Sequence, residues 1–427
     1  MLLPREITEE IVSCLGKHEI IFLLGTRQTG KTTLTKLVAE ASRFKPGEIF
    51  FFDFEDKEVR GLFGTGAVSA LRHLLRLEGI NPELSNLLIF DEIQLLSDPA
   101  NLLKLLHDHF PALTVMATGS SSLRIKHKFS DSLAGRKRIF LIHPLNFDEF
   151  LRFKGENRLR EARKLFREAN EVERQDLADL MPGFQDAFLR LLEEYLIYGG
   201  YPEVVLLEGK KTKIEKLNSI ATSYIQKDIR EVGNIDNLEA YNSLLKYLAV
   251  NLGAQFNLTS AQATVGISAP TLKKYLELLR ETFIVAELPP FFTNKNKEIS
   301  KSKKIFFHDT GIRNLQIRNF NAVELRTDIG SLYENFVFNV FDRKRDMVTS
   351  NYFYRTQVQT EIDFVIAEEA DFKLFEVKSG HFSRPVKAMR EFAKKYRRPN
   401  REVSQTVINR SYLGQSGEIS FLPIYLL

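Results

Sequence analysis

The residues best suited to chemistry lie in IIFLLGTRQTGKTTL, where Gly25, Gly30, Lys31 and Thr32 fit the spacing G-x-x-x-x-G-K-[ST]. Glycines so placed let the backbone N–H groups of a loop holding Thr26, Arg27, Gln28 and Thr29 wrap a chain of phosphates. Lys31 reaches the outer phosphates and Thr32 offers its hydroxyl to a magnesium ion. Thr33 completes the set, at a helix N-terminus whose positive dipole end meets the anion. Such a site needs a second magnesium carboxylate from a nearby strand. LLIFDEIQ supplies Asp91 for the shell of the metal and Glu92 to orient or deprotonate the attacking water. An acidic pair ending a buried strand also reads as a helix N-cap, but this pair stands one element past the loop's helices, where the metal requires it. The chemistry expected is hydrolysis of ATP to ADP with Mg²⁺.

The elements that must hold these groups are legible around them. Over residues 1–145 short apolar runs alternate with helical stretches: Ile20–Leu24, Ile49–Asp53, Leu87–Asp91, Leu113–Thr118 and Arg138–Ile142. That alternation predicts a parallel sheet covered by helices. The strand in TVMATGSSS ends on Thr118 and Ser120, polar groups at the sheet edge where open α/β sheets bind ligands, and a sensing role suits both. Phosphoryl transfer also needs positive charge on its transition state. Arg136, in SLAGRKR, is the candidate, acting on a neighbouring subunit's nucleotide; its plainer reading is an exposed arginine on a basic turn.

Beyond residue 146 the pattern turns helical, and the charged stretch Arg152 to Arg174 reads as a solvated face. Residues 240–307 read as two helices, a tight turn at Gly266-Ile267-Ser268, an amphipathic helix with Leu272, Leu276 and Leu279 on one face, and a strand pair. The loop of that pair carries Lys295, Lys297, Lys301, Lys303 and Lys304. As a winged helix this unit would turn Ser268, Thr271, Lys273 and Lys274 toward a DNA groove and its wing lysines toward phosphate. Such units also serve as protein–protein spacers.

The last hundred residues hold a second constellation. Glu334 lies in a helix, SLYENFVFNVF; Asp363 lies in a strand, TEIDFVIA; Glu376 and Lys378 follow in DFKLFEVKSG. Alternate strand residues share a face, so Glu376 and Lys378 point together. Asp363 and Glu376 can bind one Mg²⁺, Glu334 can support it, and Lys378 can activate a water for attack on a phosphodiester. By itself E-x-K is an ordinary surface ion pair. With Asp363 and the order helix, strands, helix, strand, the segment resembles the restriction-endonuclease-like superfamily, whose members can lose cleavage and keep binding. The stretch RPVKAMREFAKKYRRPNR is basic enough to track a nucleic-acid backbone, or is a soluble helix.

Taken in order, GTRQTGKTT, DEIQ, ATGSSS, SLAGR, HPLNFDEF and YGGYP resemble the prokaryotic AAA-like ATPases that carry a C-terminal domain of uncharacterised function. The resemblance implies an AAA+-type core with a small helical lid, in which Gly200 and Pro202 of GGYP are similar to a Gly-x-Pro turn that touches adenine. It implies a homo-oligomer, either a ring-forming motor or a signal-type switch. The expected architecture is α/β: a P-loop core over 1–148, a helical lid over 149–233, a winged helix over 234–317 and a nuclease-like domain over 318–427.

Composition narrows the rest. Sixty basic against 55 acidic residues leave a net charge of +5, which permits DNA as a partner without arguing for it. Cys14 is the single cysteine, which excludes an internal disulfide and a cysteine-based zinc site. The first ten residues are charged, unlike a secretory leader, and the apolar runs are far shorter than the ~20 residues that cross a bilayer. A cytoplasmic protein is expected, with DNA as its partner or, on the rival reading, another protein.

Overall fold

A computed structural model describes residues 3–64, 66–119, 135–224, 235, 237–294, 298, 301–356 and 360–427. The chain divides into two compact units. The first comprises Met1–Leu145, Ser219–Ile235 and Glu277–Phe283, and the second comprises Asn146–Asn218, Asp236–Leu276 and Ile284–Leu427.

The first unit runs α1 (Thr8–Cys14), β1 (Ile20–Leu24), α2 (Lys31–Ala41), β2 (Ile49–Asp53), α3 (Lys57–Leu62), α4 (Val68–Leu77), β3 (Asn86–Asp91), α5 (Pro99–His109), β4 (Leu113–Gly119) and β5 (Lys137–Leu141). Its five strands lie in the order β2-β3-β4-β1-β5, and every pairing is parallel. All residues of β1, β3 and β4 are buried, as continuous apolar strands require when helices cover both faces. One face packs Phe22, Phe52, Phe54, Phe63 and Phe90. The other packs Ile21, Leu23, Leu34, Val38 and Met116. The register sets Leu24 beside Gly119 and Phe90 beside Ala117, so β1, β3 and β4 end together. The sequence places these strands within a residue of where they stand.

The second unit begins with α6 (Phe147–Phe153), α7 (Asn157–Glu168), α8 (Glu171–Leu180), α9 (Gln185–Tyr198) and α10 (Pro202–Leu206); α11 (Lys210–Tyr224) passes from this unit into the first. The helices α12 (Leu238–Val250), α13 (Leu258–Val265) and α14 (Ala269–Glu281) follow, the last again ending in the first unit. Asn237 and Asn257 cap α12 and α13 through side-chain oxygens, and α13 stops at Gly266, whose φ of 75° suits glycine. Strands β6 (Val285–Leu288) and β7 (Lys304–Phe307) form an antiparallel pair. Helix α15 (Thr310–Ile317) and helix α16 (Ile329–Lys344) then lead to a six-stranded mixed sheet. Its strands are β8 (Thr349–Arg355), β9 (Glu361–Glu368), β10 (Asp371–Val377), β11 (Val403–Asn409), β12 (Gly414–Ser416) and β13 (Ile419–Pro423), with α17 (Lys387–Tyr396) before β11. The order is β12-β13-β11-β10-β9-β8, and β12 is an edge strand that the sequence did not announce. Ala388, Met389 and Phe392 of α17 pack with Leu374 and Val407 of the sheet.

Two features tie the hairpin segment to this sheet. Phe291 N–H donates to the Phe353 carbonyl at 2.6 Å and Phe353 N–H to the Pro289 carbonyl at 3.0 Å, so residues 289–291 run along β8. The Phe291 ring then lies among Tyr352, Phe372, Phe392 and Tyr396.

The lysines expected on the hairpin loop do not share one environment. Lys295 and Lys297 lie outside the described residues. Lys301 is exposed, and Lys303 pairs with Glu287 at 2.7 Å. Lys304 is a correction to the wing reading: it is the first residue of β7, only 4% exposed, and it faces carboxylates rather than solvent. A run of lysines reads as a solvated tip, yet the pleat turns one of them inward.

Candidate active site

The loop between β1 and α2 is shaped by local rules. Gly25 has no room for a side chain, because a Cβ there would stand 2.1 Å from the Ile142 carbonyl oxygen. Gln28 and Gly30 take left-handed backbone, φ 61° and 87°, and Gly30 caps α2 in that conformation. Successive amides turned this way make a concavity that suits an anion, with a helix N-terminus behind it. Thr26 and Thr29 are buried, and Thr29 Oγ1 donates to the Thr26 carbonyl at 2.9 Å. Thr33 is exposed on the first turn of α2.

Lys31 is 5% exposed, and its Nζ donates to the carbonyls of Gly25 and Thr26 at 3.0 and 2.9 Å. The ammonium thus rests on the carbonyls of its own loop. A group that no sequence motif marks joins it. Arg5, buried, donates from Nη1 to the Thr29 carbonyl at 3.0 Å and from Nη2 to the His143 carbonyl at 2.9 Å. It braces the loop against the end of β5. Arginine in a charged N-terminal stretch has no motif, so only the fold reveals it.

The acidic pair meets this loop. Thr32 Oγ1 donates to Asp91 Oδ2 at 2.6 Å, and Thr118 Oγ1 donates to Asp91 Oδ1. Burial pushes the Asp91 carboxyl above its ordinary range, against those hydrogen bonds, as a buried anion without a full countercharge requires. Hydroxyl and carboxylate converging on one point are the donor set magnesium takes, so the residues fit that ion. Glu92 follows in left-handed backbone, φ 52°, a costly conformation for a non-glycine residue. Its N–H donates to Thr118 Oγ1 at 3.0 Å, its carboxylate accepts from Gln94 Nε2, and Arg27 Nη2 stands 4.0 Å from it. One hydroxyl on β4 therefore binds the Asp91 carboxylate at the end of β3 and the backbone N–H of Glu92 just beyond it. Gln94 stands two residues after Glu92 in DEIQ, a spacing that is the one sequence signal for this contact.

Arg136 is a third exposed and pairs through Nε with Asp108 at 3.1 Å. Ser120 lies outside the described residues. Gly200 and Pro202 belong to the second unit, where Gly200 N–H donates to the buried Asp309 carboxylate at 2.7 Å and Pro202 opens α10.

The second unit brings Glu334, Asp363, Glu376 and Lys378 together, with two residues added. Lys378 Nζ donates to Glu376 Oε1 at 2.7 Å, and the Val377 N–H donates to Asp363 Oδ2 at 2.8 Å. Glu361, two residues before Asp363 in β9, joins from the same strand face; that spacing was legible in TEID. The Lys304 ammonium stands 2.7 Å from Glu361, 3.5 Å from Glu334 and 3.9 Å from Asp363. Burial, then repulsion from Asp363, pushes both Glu334 and Glu376 upward. Burial works against charge on Lys304, but its carboxylate neighbours hold its pKa above the usual range. Glu376 Oε2 is buried without a hydrogen-bond partner. Among the described residues no three His, Cys, Asp or Glu groups form a ready metal cage. Nor is any helix among them long and apolar enough to cross a membrane.

Comparison with known proteins matches three stretches of the chain. Residues 17–151 match an AAA domain, residues 189–322 a domain of unknown function (DUF8612), and residues 329–427 another (DUF4143). An uncharacterized protein of Methanocaldococcus jannaschii is 27% identical over 372 residues, 86% of this chain and 76% of its own length. An uncharacterized protein of Mycobacterium tuberculosis is 24% identical over 368 residues, 85% of this chain and 70% of its own. Among solved structures, a Walker-type ATPase of Pyrococcus abyssi aligns at 15% identity with a TM-score of 0.47, covering 74% of this chain and 96% of that one. The parallel sheet and the loop that follows its first strand thus lie within a matched AAA domain, and a domain of unknown function is matched at the C-terminal end of the chain.

Proposed function

We propose that this protein binds ATP with magnesium on the loop Gly25–Thr33, hydrolyses it, and uses the cycle to move or gate its second unit on DNA. The observation that carries the hydrolytic reading is the chain of contacts Thr32–Asp91–Thr118–Glu92 at the strand ends. Thr32 and Asp91 would hold magnesium, which supplies positive charge to the phosphates when bound. Lys31 would leave its carbonyls for the outer phosphates, and the amides from Thr26 to Thr32 would bind the remaining oxygens. Glu92 would orient the attacking water and take its proton. Thr118, bound to the Asp91 carboxylate and to the Glu92 N–H, would report on the bound state. Arg136 would leave Asp108 to serve a neighbouring subunit's nucleotide in a homo-oligomer. Replacing Arg136 by alanine is expected to abolish turnover and leave nucleotide affinity unchanged, read by phosphate release beside a fluorescent-nucleotide titration. Unaltered turnover removes it from the mechanism.

DNA as the partner is supported by the basic face around α17, where Lys395 is exposed and Arg390, Lys394 and Arg398 are exposed beside a cleft of about 600 Å³. Lys273 and Lys274 add exposed positive charge on α14. Phosphate contacts of this kind make affinity fall steeply with salt. The deciding experiment measures ATPase rate with and without duplex, branched and single-stranded DNA, with particle size followed under ATP. DNA-stimulated turnover and a larger assembly are expected. Slow turnover indifferent to every DNA would support the rival reading, a nucleotide-controlled switch whose distal domains bind protein. One observation favours an inert tail within either reading: Lys304 already offsets charge among the carboxylates. A metal-dependent nicking assay, wild type against Asp363→Ala, separates the cases, since activity lost in the variant marks a working nuclease.

A further inference from the structure

The hairpin strand β7 delivers a residue that no nuclease-like pattern in the last hundred residues contains. Lys304 is 4% exposed, its aliphatic stem lies in a wholly buried strand, and its ammonium stands 5.4 Å from the centre of the Phe353 ring. Its contacts are with Glu361, Glu334 and Asp363, while Lys378 serves Glu376. Arg355 approaches the other oxygen of Glu361 at 3.8 Å from a more exposed position. The four carboxylates therefore meet one lysine from the D…E-x-K pattern and a second from outside it. Glu376 Oε2 is buried in this cluster with no hydrogen-bond partner, which fits a further cation.

We propose that Lys304 is a resident cation of this carboxylate site, one that competes with a divalent metal and keeps its affinity low. The inference rests on reading the cluster as a divalent-metal site, and it adds the group that controls its loading. An ammonium within hydrogen-bond reach of Glu361 and Glu334, and 3.9 Å from Asp363, occupies oxygens the metal would need and repels that metal through a dry, weakly screened interior.

The test is calorimetric titration of the full, nucleotide-free protein with Mn²⁺, comparing wild type, Lys304→Gln and Asp363→Asn. Binding that Asp363→Asn abolishes belongs to the cluster. Lys304→Gln is expected to bind Mn²⁺ at least tenfold more tightly than wild type. Equal or weaker binding by Lys304→Gln, with the Asp363-dependent heat intact in wild type, overturns the role of Lys304 and leaves the metal site standing. Absence of Asp363-dependent heat from both proteins removes the metal site itself, and the inference with it. Should the glutamine variant fail to fold, side-chain ¹⁵N spectra of wild-type lysines under Mg²⁺ read the same competition. The protected Nζ resonance of Lys304 is expected to shift as the ion is added, and a resonance unmoved at saturation overturns the proposal.

Discussion

Lys31→Ala protein is expected to lose nucleotide binding and to turn over ATP at least about 10²–10³-fold more slowly, the scale for removing one charged donor from a transition state. The physical basis is the location of the ammonium, buried to 5% exposure and within hydrogen-bond reach of the Gly25 and Thr26 carbonyls. No other lysine lies in the loop Gly25–Thr32. Truncation also strips those two carbonyls of a donor, at a cost of about 1–3 kcal/mol if water does not replace it. A thermal melt without nucleotide separates that structural loss from the loss of binding. Titration with a fluorescent ATP analogue and Mg²⁺ gives the decisive reading. Retention of nucleotide by the variant at wild-type affinity would refute the site.

Glu92→Gln is expected to separate binding from chemistry. The amide keeps the length of the side chain and can still meet Gln94, so the left-handed turn at residue 92 is undisturbed. It cannot take a proton. Loss of a positioned general base slows the chemical step by about 10²–10⁴-fold, while ATP and magnesium should remain bound with near-native affinity. Single-turnover hydrolysis beside equilibrium binding distinguishes this outcome from the Lys31 result, in which both fall. Hydrolysis at the wild-type rate would transfer the base role to another group.

The contrast between what sequence revealed and concealed follows from distance along the chain. The phosphate loop is contiguous, so its geometry is encoded locally: Gly25 excludes a Cβ, Gly30 turns left-handed, and β1 ahead of it is wholly apolar. The five parallel strands were legible because burial on both faces demands unbroken apolar runs. Arg5 shows the opposite case. It acts on Thr29 and His143, 24 and 138 positions away, and nothing in its own neighbourhood marks it. Lys304 was misassigned for a related reason. In the sequence its neighbours are lysines, which suggest solvent; in the fold its neighbours come from 30 to nearly 60 residues downstream. Glu361 was reachable, since a strand residue two before Asp363 shares its face, but an aspartate already filled the expected role.

The way Phe291 inserts beside β8 has a practical corollary for dissecting this chain. A fragment cut at Arg318 would begin after the segment that covers the β8 edge, baring strand amides and leaving an aromatic hollow between Tyr352, Phe372, Phe392 and Tyr396. One started at Ile284 would bring its own stopper and its own edging, so any attempt to study the tail in isolation gains by keeping those extra thirty-odd residues.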